Sequence, residues 1–279
     1  MRISIITVTL NSAKYLEDCI KSIINQSHPD IEHIIVDGGS TDGTLAIIEK
    51  YKDSIAKCIS EKDRGMYDAL NKGMALASGD VIGVLNSDDI LASHDVISTI
   101  NECFRTHKVD SVYGDLVYVQ PNNMQKVLRV WKGFNYRRYK FFYGWMPAHP
   151  TFYVCRDIIK QLGNYETHYF TAADFEFMAR YLFKHRISSH YIPKLLVKMR
   201  DGGISNNSIK SRLRANRRDY LAMKRNGFPF PLISSVLKPL RKIPQYSTTV
   251  LHKFFGKKIS TNIPPVVEYF TSEKLVQTH

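Results

Sequence analysis

The chain has 279 residues and a formal net charge of +13, with 44% hydrophobic and 23% charged residues. That balance fits a soluble globular protein whose core needs no disulfide or metal staple, and the absence of any run of about eighteen apolar residues excludes a membrane-spanning helix. The opening stretch to Asn11 lacks a small-residue cleavage site, so export is not expected. Cys19, Cys58, Cys103 and Cys155 stand far apart with no CxxC or HExxH spacing, so they read as small buried residues of a reducing cytosol and no structural zinc is expected.

Residues 2–9 are an apolar, β-branched run that predicts a buried strand. Residues 14–26 place Leu16, Cys19, Ile20, Ile23 and Ile24 on one helical stripe. Residues 32–37 predict a second strand, 44–52 a second helix and 56–60 a short third strand. In residues 66–77, Met66, Ala69, Leu70, Gly73, Met74 and Ala77 define one helix face. A fourth strand over 80–85 stops at Asn86-Ser87-Asp88-Asp89. This alternation predicts an α/β fold with a parallel sheet. Beyond about residue 110 the rhythm changes. Residues 111–120 and 125–131 read as a hairpin, 131–145 as an aromatic and basic stretch, 173–185 as a helix, 196–200 as a strand and 209–226 as a basic helix.

Open α/β sheets bind ligands beyond the carboxyl ends of their strands. The polar clusters fall there: Asn11 after the first strand, Asp37 to Asp42 after the second, Glu61 to Arg64 after the third, Asn86 to Asp89 after the fourth. Any one alone would read as a turn or a helix cap. No glycine fingerprint follows the first strand, and neither a P-loop nor a GxSxG elbow occurs. What remains is a nucleotide site with carboxylates. Asp88-Asp89 can hold a hard divalent ion, Mg²⁺ or Mn²⁺, against a diphosphate.

Five segments carry a resemblance: IITVTLN from Ile5 to Asn11, VDGGSTDGT from Val36 to Thr44, EKDRGMYDALNKG from Glu61 to Gly73, ASGD ending at Asp80, and LNSDD ending at Asp89. In this order over about ninety residues the sequence resembles the family 2 glycosyltransferases of the GT-A fold, especially bacterial enzymes that build surface polysaccharides. PAHPTF from Pro147 and AADFEF from Ala172 are similar to the acceptor-side motifs. The resemblance implies an inverting transfer from a nucleoside diphosphate sugar, UDP-linked, to a hydroxyl of a lipid-linked glycan or oligosaccharide. It puts Asp37 at the base with Thr9 and Asn11 beside it, Glu61 and Asp63 in the nucleotide pocket, and Arg64, Asn71, Asn86 and Ser87 in the same donor set. The family's Asp-x-Asp falls on Asn86-Ser87-Asp88, making Asp88 the principal metal ligand and Asp89 the second. Its Glu-Asp pair falls on Ala173-Asp174, which leaves Asp174 as general base, with His149 and Glu176 as further acceptor-side residues.

Between residues 205 and 260, thirteen Lys or Arg face a single acid, Asp219, an excess of +12. Apolar stripes run beside the charge, as in amphipathic segments that lie on anionic membranes. The expected organisation is a nucleotide-sugar-binding half over 1–110, an acceptor-binding half of the same domain over 111–204, and a basic helical C-terminal extension over 205–279. The enzyme would be cytoplasmic and peripheral on the inner face of the membrane, with residues 205–260 on the lipid. No nucleic-acid module is recognisable, so nucleic acid is not an expected partner. A sugar nucleotidyltransferase would share fold and metal but wants a glycine-rich basic loop after the first strand. A non-enzymatic basic adaptor for membrane or nucleic acid would explain the tail but not the carboxylates.

Overall fold

The structure, a computed structural model, describes residues 1–202 and 209–240. Its centre is a parallel set of strands in the order β3 (Lys57–Ser60), β2 (Ile31–Asp37), β1 (Ile3–Thr9) and β4 (Val81–Val84). β1 and β4 are buried along their whole length, which is why they read as continuous apolar runs rather than alternating ones. α1 (Leu16–Ile24) turns Leu16, Cys19, Ile20 and Ile23 inward. α2 (Thr44–Lys50) follows β2, and α3 (Met66–Leu76) follows β3. Gly65 starts α3 at φ +127°, a conformation that favours glycine. Gly73 lets α3 approach β1, since a Cβ there would lie 2.4 Å from Ile6 Cγ2.

The sheet then continues as a mixed one. Beyond β4 come β8 (Tyr153–Cys155), β6 (Ser111–Gln120), β9 (Ser189–Arg200) and β5 (Ile90–Leu91), with β7 (Asn123–Trp131) as the hairpin partner of β6. β8 is antiparallel to β4 and to β6, whereas β9 is parallel to β6. The carboxyl end of β9 therefore lies at the same sheet edge as those of β1 and β4. α4 (Val96–His107) and α5 (Arg156–Leu162) pack around this half. The expected helix over 173–185 is α6 (Ala173–Met178) running into a π-helical turn, Ala179–Lys184. α7 (Ile209–Arg225) and α8 (Pro231–Leu240) close the described chain.

One apolar cluster joins Ile6, Val36 and Leu70 to Phe141, Trp145 and Phe177, and includes Met223 and Phe228. The cluster runs from β1 and α3 to the chain around Phe141 and Phe177, and α7 joins it through Ala222 and Met223. At the amino-terminal edge of the sheet, Glu32 is buried and accepts from Ser4 Oγ, Ser78 N and Ser78 Oγ at 2.6–2.8 Å. Burial alone would raise its pKa, but these bonds and Lys57 bring it down to about 2. The ASGD segment is therefore a structural knot on the edge away from the strand-end clusters.

Candidate active site

The ends of β1 and β2 are tied together by their own loops. Asn11 takes φ +51° and clasps the facing turn: its N–H donates to Ser40 Oγ (2.8 Å) and its Oδ1 accepts from Thr41 N (2.9 Å). Asp42 accepts from Thr44 and Ala13, closing the same turn. Asp37 is fully buried. Its Oδ2 accepts from Gly39 N (3.1 Å), Ser40 N (3.0 Å) and Ser60 Oγ (2.7 Å), and its Oδ1 accepts from Ser40 Oγ. Thr9 Oγ1, also buried, has no hydrogen-bond partner among the described residues.

Beside this turn, Asp63 Oδ2 lies 3.2 Å from where a Gly38 Cβ would stand. Lys72 of α3 bridges Asp63 (2.5 Å) and Glu61 (2.7 Å), and the two carboxylates raise its pKa to about 12. Arg64 is exposed at the rim and pairs with Asp68 at 2.7 Å. Asn71, expected in the donor set, is engaged by the backbone of Tyr165. Its Nδ2 donates to Tyr165 O (2.9 Å) and its Oδ1 accepts from Tyr165 N (3.0 Å), so its amide clasps α3 to the chain before α6.

After β4, Ser87 Oγ meets Ser12 Oγ at 2.9 Å, and Asn86 Nδ2 donates to Asp89 Oδ2 at 2.9 Å. Asp89 is fully buried and its Oδ1 has no partner among the described residues. Burial, then the neighbouring Asp88 charge, push its pKa well up. Burial also raises that of the half-buried Asp88, against the pull of Arg200. Two carboxylates held in a poorly hydrated place, one with an unpartnered oxygen, suit a hard divalent cation. Arg200, at the end of β9, was not singled out from the sequence. Its Nη1 donates to Asp88 O (2.6 Å), its Nη2 to Asp18 Oδ2 (2.5 Å), and its guanidinium lies 4.4 Å from the Tyr15 ring. The signal that could have found it is the strand-end rule applied to one more strand.

On the other side, Asp174 opens α6 and its Oδ1 accepts from Phe175 N at 2.7 Å. It is near enough to act electrostatically on Tyr67, His149 and Tyr165. His149 Nε2 and Tyr165 Oη lie 2.6 Å apart. Burial lowers the His149 pKa and the Asp174 charge opposes the shift. Just upstream, Phe170 holds φ +48°, ψ −120°, a strained backbone for a bulky residue. Glu176, an expected acceptor-side residue, points elsewhere: it is fully buried and pairs with Arg180, Nε to Oε1 and Nη2 to Oε2 both at 3.1 Å. Asn226 Nδ2 adds a contact at 3.3 Å. The helix sends positions 174 and 176 about 200° apart, and only Asp174 faces the His149–Tyr165 cluster.

Residues 4–163 match the model of Glycosyl transferase family 2. A "PGL/p-HBAD biosynthesis glycosyltransferase" of Mycobacterium tuberculosis is 31% identical over 209 residues, 73% of this chain and 78% of that protein. An uncharacterized glycosyltransferase of Nostoc sp. is 38% identical over 127 residues, 44% of this chain and 39% of that one. Among solved structures, S. aureus TarS 1-349 in complex with UDP superposes with a TM-score of 0.66 at 18% identity, covering 91% of this chain and 75% of that one. A mannosyltransferase from Pyrobaculum calidifontis in complex with GDP-Man and Mn²⁺ gives 0.59 at 15% identity, covering 91% and 81%. The mixed sheet with its flanking helices is the GT-A fold, and the chain belongs to glycosyl transferase family 2.

Proposed function

We propose that this glycosyltransferase transfers a sugar, with inversion, from a UDP-linked donor to a hydroxyl of a lipid-linked glycan in polysaccharide or glycolipid synthesis. The observation that carries the reading is the presence of two unlike carboxylate sites: half-buried Asp88 with buried Asp89 at the end of β4, and half-buried Asp174 beside His149 and Tyr165. A bound Mg²⁺ or Mn²⁺, held by Asp88 and Asp89, would supply positive charge to the departing diphosphate. The remaining work falls to the chain. Thr9 Oγ1 offers its unspent hydrogen bond to the nucleoside. An N–H of the base would replace one of the hydroxyls, of Ser40 or Ser60, now bonded to Asp37. Lys72 keeps Glu61 and Asp63 at the pocket wall without leaving their charge against a diphosphate. Asp174 takes the proton from the attacking hydroxyl on the oxygen not bonded to Phe175. Single displacement needs that one base on the acceptor side.

Work on a lipid-linked acceptor calls for a seat on the cytoplasmic face of the membrane. Phe230, Leu232, Ile233 and Val236 are 49–67% exposed in and just before α8, with Lys224 and Arg225 exposed close by in sequence. This is a pairing of apolar and basic groups that suits an anionic bilayer. The rest of the proposed membrane segment, 205–208 and 241–260, lies outside the described residues. Among the described residues no helix is long and apolar enough to cross a membrane.

Thermal shift with UDP-, GDP- and dTDP-sugars, each with and without Mn²⁺, tests the donor. The UDP-sugar with Mn²⁺ is expected to stabilise the protein most, by mass action. Stabilisation by a GDP- or dTDP-sugar alone, or equal stabilisation with and without metal, would overturn that part of the reading.

A further inference from the structure

Far from the carboxylates, the fold assembles a second cluster that the spacing of the sequence hides. Cys103 and His107 are i and i+4 on α4, hence on one face. β9 brings up His190. Among the described residues, the Cys103 Sγ, one nitrogen of His107 and one of His190 all lie within 4.8 Å of one another. The two imidazoles stack with centroids 3.6 Å apart and planes 14° from parallel. They line an open depression of about 560 Å³ between α4 and the start of β9. Cys103 is buried, His190 half-buried and His107 exposed, so the depression has a dry floor and a wet mouth. None of the three side chains hydrogen-bonds to another described residue.

We propose that Cys103, His107 and His190 form a metal site for Zn²⁺ or a similar borderline divalent ion, separate from the catalytic carboxylates. One thiolate and two imidazoles are a borderline-to-soft donor set that selects Zn²⁺ over Mg²⁺ or Mn²⁺. At Zn–S and Zn–N lengths of about 2.3 and 2.0 Å, tetrahedral ligand atoms sit roughly 3.3–3.5 Å apart. The cluster closes by about 1 Å on binding, with the stacked rings splaying so that both lone pairs meet the ion. Binding displaces the Cys103 thiol proton to solvent, and water takes the fourth position at the open mouth. The ion clasps the last turn of α4 to β9 across a long loop of chain. His190 is near the start of β9 and Arg200 is its last residue, so roughly 30 Å of strand separates the site from Asp88.

The full-length protein, stripped with chelator, is titrated with Co²⁺ and read in the near ultraviolet for thiolate-to-cobalt charge transfer, which no carboxylate site can give. The expected result is one band at one equivalent, abolished by excess Zn²⁺ and retained in Asp88→Asn. Cys103→Ser removes the band, and His107→Gln, an exposed change that cannot unfold the protein, weakens Co²⁺ binding at least 10-fold. Zn²⁺ raises the melting temperature of the wild type and not of His107→Gln. No band with excess Co²⁺ overturns the proposal. So does a band that survives Cys103→Ser, which would assign it to Cys19, Cys58 or Cys155, or a band indifferent to His107→Gln.

Discussion

Asp174 and Glu176 stand two residues apart on α6, and replacing each by its amide should produce opposite phenotypes. Glu176→Gln keeps one acceptor for Arg180 and turns the other into an N–H facing a guanidinium donor. The pair is dry: the Glu176 side chain is 0% exposed and that of Arg180 9%. Removing one partner of a buried pair costs about 3–5 kcal/mol. Here Arg180 keeps the carbonyls of Leu162, Gly163 and Asn164, so the cost should fall to about 2–3 kcal/mol, or roughly 4–12 °C in melting temperature for a chain of this size. Asp174→Asn retains an acceptor for Phe175 N–H on a half-buried side chain, so stability should hardly move. Transfer should instead fall about 10²-fold or more, the scale of a lost general base, with donor affinity unchanged. The assays are differential scanning fluorimetry and single-turnover transfer, normalised to the donor-binding fraction. Glu176→Gln that abolishes transfer at wild-type stability, or Asp174→Asn with normal turnover, would refute the assignment.

Asp88→Asn should remove most of the Mn²⁺-dependent gain in UDP affinity, at least 10-fold by calorimetry; an undiminished Mn²⁺ effect would contradict the metal role. His33 is buried with its pKa lowered to about 4 by desolvation. It folds neutral and charges only on unfolding, so the fold should lose about 3 kcal/mol as pH falls from about 6.5 to 4, and His33→Gln should flatten that limb of a urea-denaturation series; equal pH slopes would count against the shift. Leu232→Ser with Ile233→Ser changes only exposed side chains. Melting temperature should hold while co-sedimentation with anionic vesicles drops roughly 10-fold; unchanged sedimentation would dismiss α8 as a membrane contact. Such point changes are the cleaner test, because truncation at Asn226 would also remove Phe228, which packs on Phe141, Phe175 and Phe183.

The first four strands and three helices were legible because the strands are short apolar runs rich in β-branched residues, the helices carry inward stripes, and each sits between turn residues. β5 and β8, of two and three residues, are too short to show any period. α4 has a clear inward stripe of Val96, Ile97, Ile100, Cys103 and Phe104. Its first turns are β-branched, which weakens a helical reading by propensity. The stretch from Phe175 to Phe183 is buried on every side, so no amphipathic signal could reveal the added residue of the π-helical turn.

Strand ends pointed to the polar edge where the candidate residues gather, but not to the partners each of them takes. Those partners are supplied from far along the chain. Arg200 reaches Asp88 only because β9 runs parallel to β6 in a mixed sheet, a fact absent from local sequence. Asn86 shows how a departure from the family pattern can be absorbed. A carboxylate there would stand against buried Asp89, whose ionisation already suffers from burial and from Asp88. Asparagine instead donates its N–H to Asp89 Oδ2, fixing that carboxylate and leaving Oδ1 unpartnered at the same buried spot. The position that carries a charge in the family pattern here orients the neighbouring charge, and on the proposed reading the burden of holding a cation shifts along the loop to Asp88 and Asp89.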